Sequence, residues 1–557
     1  MKILENISNG YKRIATGIAI VLFLTVMYIA LIPGASVAAQ SFVMAASGTP
    51  IVGAFVKIVE WPQYNATTDS NGNYSINNMP IGTYNLSAWA PGYVRNTTPI
   101  TVVTGNNVNN FALNPNANMT GIIWISSYDA NGNVTATMAS QLPRPYDIGT
   151  EFSGQYDSRW SSAGFFSVVL VSDVYGTGAS LNITYLMDNG TFYSATTQDV
   201  PVNGTATIIP GSSGQELGKI KVKSNNPVVA EKRIASYSPA GTWNTVGIMS
   251  TLMPEKNSSD TQFFGQYDSR WSTAGYFSVI LVSDVVGTGA HLNITYLMDN
   301  GSFYSQTTQD VPVNGTATII PGSSGQELGK IKIKSDNPVV AEKRIASYSP
   351  VGTWNGMDLL ADSMLKTSDA SNELIVPIYD GRWDSLGWFS VVLLSDIYGT
   401  GANVVVDYLY MNGTKFITSN YQVPVNGTLT IIPGSIGLSQ GKMLIHSDNL
   451  IVGEERIANF APGTYNQRGI LSFNLLKNTD ATKNLVVPQY DSSGVWVAEV
   501  AVSAVNGAST PELNYFNGTG AFSNKEYYDI LTNGTYAFYP GNITLGRPQV
   551  GRVTIKG

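Results

Sequence analysis

The sequence contains no cysteine and only two histidines in 557 residues. The first absence excludes disulfides, thiol nucleophiles and thiolate-bound zinc or iron–sulfur clusters. The second leaves little material for imidazole catalysis or a multi-histidine metal site. Charge is scarce as well: 12% of residues are Asp, Glu, Lys or Arg, against the usual ~25%. Net charge is −7, and no Lys/Arg run is long enough to follow a phosphate backbone, so nucleic acid is not an expected partner. Hydrophobic content is ordinary at 43%, which separates the chain from disordered polar tails.

Apolar runs of spanning length are missing after residue 40. The one such run covers residues 14–32, follows Lys2, Lys12 and Arg13, and is broken by Pro33-Gly34. Small residues follow, from Ala35 to Ala39. Residues 1–40 therefore read as an apolar helix serving as a signal peptide cleaved after Ala38 or Ala39, or as an uncleaved anchor. The run is longer than the ~7–15 residues of a usual signal core and approaches the ~20 needed to span a bilayer. Both readings place everything after residue 40 outside the cell, because the basic flank stays inside. Membrane contact is expected through this segment alone.

Residues 41–117 carry a series of strand and turn signals. Asp69-Ser-Asn-Gly72-Asn is a turn between alternating runs, and Gly82-Thr-Tyr84-Asn-Leu86 opens another strand. Asp69, Asn71 and Asn73 have the spacing of a calcium-loop start, but glycine stands at the fourth position instead of the sixth; a plain β-turn is the expectation. The succession Gly48-Thr-Pro…Phe55-Val-Lys, Asp69…Gly72-Asn-Tyr74, Pro80-Ile-Gly82-Thr-Tyr84 and Pro91-Gly92-Tyr93 resembles the carboxypeptidase regulatory-like domain. That resemblance implies a transthyretin-like β-sandwich, a structural module without peptidase activity.

The remainder is a repeat. Residues 154–239 and 265–350 differ at nine of 86 positions. Diverged copies begin at Tyr379 and Tyr490. The runs ending at Ser224, Ser335, Ser447 and Gly557 occupy equivalent places, which predicts four whole units at 118–224, 225–335, 336–447 and 448–557. β-branched runs and Asn-Gly hairpin signals give each about seven to nine strands, an immunoglobulin-size sandwich. The expected fold class is all-β, a tandem array of β-sandwiches behind one N-terminal apolar helix. The repeat loosely resembles units of exported prokaryotic surface proteins.

Internal copies allow a test for chemistry. Glu231 with Arg233, Glu342 with Arg344 and Glu454 with Arg456 recur two residues apart, on one face of a strand. Asp157, Asp268 and Asp380 each precede an arginine by two. Ile122 and Trp124 stand in the first unit's Glu/Arg places, and Asp491 is followed by Ser-Ser-Gly, so ion pairing fits these positions better than catalysis. His291 aligns with Ser180 and Asn403, and His446 with Lys223 and Lys334; no triad assembles from them. No catalytic, cofactor-binding or metal-ligating residue is expected, and no cofactor. Trp243, Trp354 and Tyr465 recur in one Gly-Thr-aromatic-Asn loop and are candidates for ligand or inter-unit contact.

Asparagine supplies a further signal. Eighteen Asn-X-Ser/Thr sequons follow residue 40, where chance gives roughly eight. Duplication and hairpin preference account for part of the excess. Asn65, Asn182, Asn203, Asn293 and Asn314 are candidate glycosylation sites. The reading is a non-enzymatic exported cell-surface protein: envelope layer, stalk or adhesin. Its expected partners are envelope components or glycans, or further copies of itself. The alternatives are a carbohydrate-binding module array and, third, an extracellular hydrolase. Intact mass spectrometry of native protein is expected to exceed the polypeptide mass by several glycans; a mass equal to the bare chain would reject glycosylation.

Overall fold

The computed structural model describes residues 37–105, 107–128, 134–158, 165–215, 217–236, 249–268, 276–326, 328–347, 360–381, 388–461, 464–493 and 496–557. The expected apolar helix lies outside them. Among the described residues the regular structure is strand with short 3-10 turns, and no helix is long and apolar enough to cross a membrane. The all-β expectation holds. The chain divides into two compact units, Met1–Asn116 and Ala117–Gly557.

In the first unit, a three-stranded sheet (Asn73–Met79, Val37–Ala45, Phe111–Leu113) and a four-stranded sheet (Asn65–Thr67, Phe55–Ile58, Gly82–Trp89, Asn96–Val102) form a sandwich. Period-2 alternation turns Val43, Val56, Ile58, Tyr74, Ile76 and Leu86 into its core. The turn at Asp69 is closed internally: its Oδ1 accepts from the backbone N–H of Asn71 (2.8 Å) and of Asn73 (2.9 Å).

The second unit is a closed ring. Each of three successive segments builds a four-stranded antiparallel blade. From the axis outward the first comprises Met249–Leu252, the second half of Leu217–Ser236, Phe165–Asp173 and Thr205–Ile208. Leu360–Ser363, Leu328–Ser347, Tyr276–Asp284 and Thr316–Ile319 repeat this arrangement. So do Thr464–Asn474, Gln440–Ala461, Trp388–Asp396 and Thr428–Ile431. The fourth blade joins the two ends of the repeat region: Val134–Gln141 and Asn118–Tyr128 pair onward to Trp496–Val505 and Thr535–Phe538. The four inner strands neighbour one another in a cycle around the axis, as in a β-propeller.

A second sheet backs each blade. In the first unit of the ring it contains Gly149–Asp157, the first half of Leu217–Ser236, Ala179–Leu186 and Phe192–Val200. One 20-residue strand, Leu217–Ser236, thus serves both sheets, and residues from both close a common core around Tyr156, Val169, Ile183, Ile220 and Ala230. In the fourth unit two segments replace that strand. Val550–Lys556 takes the first half and Asn118–Tyr128 the second.

This corrects the expected unit boundaries. The cuts at 224/225, 335/336 and 447/448 fall inside the single strands Leu217–Ser236, Leu328–Ser347 and Gln440–Ala461. The cores instead gather residues 152–253, 263–364 and 374–475, while Met119, Ile123, Ile125 and Leu142 share a core with Leu485 through Ile555. The array is permuted and closed, and its fourth sandwich contains the residues assigned to the start of the first.

The seams between units repeat around the ring. Gly190, Gly301, Gly413 and Gly520 have φ of +84° to +87°. A Cβ at any of them would run into a carbonyl of the next unit: Val313, Val425, Thr532 and, closing the cycle, Val202. Beside them, Lys219 Nζ donates to the Asp284 and Asn314 carbonyls, Lys330 Nζ to those of Asp396 and Asn426, and Lys442 Nζ to Ala504 O at 2.7 Å. Arg552 stands in the fourth equivalent place, with Asp173 of the first unit as its electrostatic partner.

Two predictions follow from closure. Deleting residues 548–557 is expected to strip amide-exchange protection from residues 118–142 as well as 484–547, since they share one core. Protection retained in 118–142 would contradict that shared core. The second concerns pH. Burial pushes Lys219 and Lys442 down to about 7 and Lys330 to about 8, so between those values and ~10.5 the unfolded chain binds more protons than the folded one. Their contribution to stability therefore rises with pH across that window. In chemical unfolding at pH 7 and 9.5, Lys442→Met is expected to remove on the order of 1–3 kcal/mol of the gain; an unchanged pH dependence would refute it.

Candidate binding surface

The charged pairs singled out by the repeat meet as ion pairs. Arg233 Nε lies 2.6 Å from Glu231 Oε1, Arg344 Nε 2.5 Å from Glu342 Oε1, and Arg456 Nε 2.6 Å from Glu454 Oε1, all buried. Each arginine also donates across a seam to the preceding unit: Arg233 to Gln489 O (2.9 Å), Arg344 to Gln155 O (3.3 Å) and Arg456 to Gln266 O (3.1 Å). Lysines missed in the sequence complete the pattern. Lys232 Nζ reaches Glu342 Oε2 at 2.5 Å and Lys343 Nζ reaches Glu454 Oε2 at 2.6 Å. Burial alone would raise Glu454, but Arg456 and Lys343 overcome it and hold its carboxyl at about 2.

The seam between the third and fourth units is built differently. Ile122 and Trp124 occupy the Glu/Arg places and pack with Ile378 and Phe473, where the other seams offer a glutamine carbonyl and a charge pair. Trp124 Nε1 donates to Glu499 Oε2 at 2.9 Å. Glu455 stands in the place of Lys232 and Lys343, fully buried. Neither of its oxygens finds a hydrogen-bond partner of ordinary geometry, and burial pushes its carboxyl well above the usual range. Aligning the copies at the residue between the members of each Glu/Arg pair would have exposed this Lys, Lys, Glu, Ile series.

Other expected sites fare unevenly. Trp243 and Trp354 lie outside the described residues, as do Arg159, Arg270 and Arg382. Tyr465 falls in Thr464–Asn474, its backbone paired with Phe460. Asn65, Asn182 and Asn293 are exposed. Asn203 and Asn314 adopt left-handed φ of +55° and +58° at seam turns, and Asn314 Oδ1 accepts from Lys221 Nζ at 2.5 Å. His291 is exposed, 2.6 Å from Asp310, and His446 is exposed, 3.9 Å from Glu373.

The outer rim carries aromatics that the sequence reading passed over. Phe192, Phe303 and Phe522 are 63%, 65% and 58% exposed, and they occupy the same register place after the hairpin turn, opposite Leu186, Leu297 and Phe516. Tyr193, Tyr304 and Phe416 follow the same turn in three units and are also exposed. Each sits on an outermost strand that pairs on one side among the described residues. The aligned Asn-Gly-Thr/Ser-Phe-Tyr strings carried this signal. At one end of the axis a groove of about 480 Å³ is lined by Tyr146, Lys366, Lys477 and Asp369. Its lysines are committed to tying units together: Lys366 Nζ donates to Ser258 O and Lys477 Nζ to Ser368 O, each at 2.7 Å.

No curated protein matches the chain. Among solved structures, a cohesin–X-dockerin complex variant from Acetivibrio cellulolyticus is 21% identical over 15% of this chain and 60% of that one, at a TM-score of 0.13. The chain spans 60% and 53% of the first two such structures. The major pilin subunit of Bacillus cereus is 12% identical over 60% of this chain and 96% of its own, TM-score 0.13. A Thermotoga maritima protein is 10% identical over 20% and 96%, TM-score 0.17. Residues 40–114 match the family profile of the carboxypeptidase regulatory-like domain. With the two-sheet sandwich found there, the chain carries a carboxypeptidase regulatory-like domain ahead of its ring.

Proposed function

We propose that the chain is a non-enzymatic, exported binding protein of the cell surface. One observation carries this reading: exposed aromatics recur on the outside, while the recurring Glu/Arg pairs, and the lysines between their members at Lys232 and Lys343, are committed to contacts within the ring. Phe192, Phe303 and Phe522 present flat apolar rings at equivalent rim positions. Glu342, Arg344, Glu454 and Arg456 are buried against one another and against neighbouring strands. A catalytic set needs charge free to meet a substrate; a multivalent binder needs the same apolar platform presented several times.

The rim favours glycans among the surface partners. A ring flanked by a tyrosine, as at Phe192-Tyr193 and Phe303-Tyr304, offers an apolar face to stack on and a hydroxyl for hydrogen bonding. Linked weak sites gain avidity without new contacts. The test is Phe192→Ser, Phe303→Ser and Phe522→Ser, singly and together, against purified envelope fragments and a glycan panel. Single changes are expected to matter little. The triple variant is expected to lose binding on the order of 10²-fold at an unchanged Tm. Full retention by a folded triple variant would refute the rim as the binding surface.

A further inference from the structure

We infer that Lys343 and Asp362 join in an intramolecular amide, formed within the folded ring with Glu454 as proton carrier and with loss of one water. The two residues stand directly opposite each other on Leu328–Ser347 and Leu360–Ser363. Opposite residues of an antiparallel pair hold their Cβ atoms ~5 Å apart on one face. That face looks into the second sandwich, since Val339, Ala341 and Met364 share its alternation and belong to the core. Both side chains are buried.

The third group arrives from the next unit. Glu454 Oε2 lies 2.6 Å from Lys343 Nζ. Lys343 and Glu454 both act electrostatically on Asp362, with Arg144 a further positive charge, and Asp362, Glu454 and Arg456 act on Lys343. Asp362 Oδ2 is buried without a hydrogen-bond partner. The other copies lack the set: Lys232 stands opposite Thr251, Glu455 opposite Phe473 and Ile123 opposite Ser140. Lys232 Nζ also divides its bonds between Glu342 Oε2 and Gln155 O.

An amine attacks a neutral carboxyl and is repelled by a carboxylate. Burial, reinforced by the charge of Glu454, pushes the Asp362 carboxyl well above the usual range. Burial also pushes the Lys343 ammonium down, against the pull of Glu454. Glu454 itself stays ionised, because Arg456 and Lys343 outweigh its burial. Asp362 is therefore the acid that reacts, although Glu454 is the one bonded to Nζ.

The ammonium first gives a proton to solvent. Rotation of the side chains then brings the Nζ lone pair to Asp362 Cγ, and a C–N bond forms. Glu454 Oε2 takes one proton from the nitrogen and passes it to the hydroxyl on Cγ. The C–O bond breaks, water leaves and the carbonyl re-forms. A cavity of about 40 Å³ lined by Asp362 has room for that water. Reactants held side by side gain effective molarities of ~10⁵–10⁸ M. The product also removes an ammonium and an unpaired acid from an apolar site. Glu454 keeps Arg456 Nε and Ser472 Oγ, each at 2.6 Å.

The test is peptide mapping of the full chain, purified folded, then denatured and digested with trypsin. A branched peptide is expected, joining residues 335–344 to 345–366, with two α-amines and with fragments that place the link at Lys343 and Asp362. Lys343→Arg and Asp362→Ala are each expected to lose it, and Glu454→Gln to lose most of it. The map of the unaltered chain decides the matter even where a variant fails to fold. Recovery of the two peptides unlinked would overturn the inference. So would a branch from Lys343 to Glu454, or a water loss traced to an aspartyl succinimide. An undiminished link in Glu454→Gln would overturn the role given to Glu454.

Discussion

The ring depends on one constraint: a single long strand is shared between two sheets. Leu217–Ser236, Leu328–Ser347 and Gln440–Ala461 each begin in a backing sheet and end in a blade. Neither sheet of a unit can form without the other, so each sandwich is one cooperative body. In the fourth unit the shared strand is supplied in two segments, Val550–Lys556 and Asn118–Tyr128. Pairing of Asn118–Tyr128 with Trp496–Val505 therefore closes the ring without a covalent link. Closing a loop of that length costs chain entropy that grows slowly with length, and a complete blade with its core offsets it.

Closure also explains where the scarce charge goes. An open array would leave the seam faces of its end units in water. A ring buries four seams, and the lysines and arginines there must find partners or lose their protons. Lys219, Lys330 and Lys442 meet carbonyls, while Lys232 and Lys343 meet Glu342 and Glu454. The Asp-x-x-Gly-Thr-Gly loops anchor the same seams. Asp284 collects the backbone N–H groups of Val286, Gly287, Gly289 and Asn314, which outweigh burial and hold its carboxyl below the usual range.

The departures from symmetry are matched across an interface. Ile122 and Trp124 replace a charge pair on one side, and Ile378 replaces the glutamine on the other. Glu455 then faces this apolar seam in the slot where two other units place a lysine. Reading each copy by itself shows isolated losses and reversals of charge. Their meaning lies in which copy sits against which, and that depends on the permuted closure.

Much was legible in the residues. Alternation of β-branched and aromatic side chains fixed strand identity, because period 2 admits no helix. The Asn-Gly pairs marked turns, and Asn203 and Asn314 take the left-handed φ that those turns require. Glu231, Glu342 and Glu454 paired with their arginines because residues two apart on a strand share a face. The first sandwich was readable from its turn spacing. Tertiary structure alone decided that the repeats close, since a repeat period is identical in an open array and in a permuted ring. It also decided which copies meet, what Lys232, Lys343 and Glu455 face, and that Phe192, Phe303 and Phe522 stay outside. Lys232 and Lys343 are buried against glutamates more than a hundred residues away, and no local period encodes that.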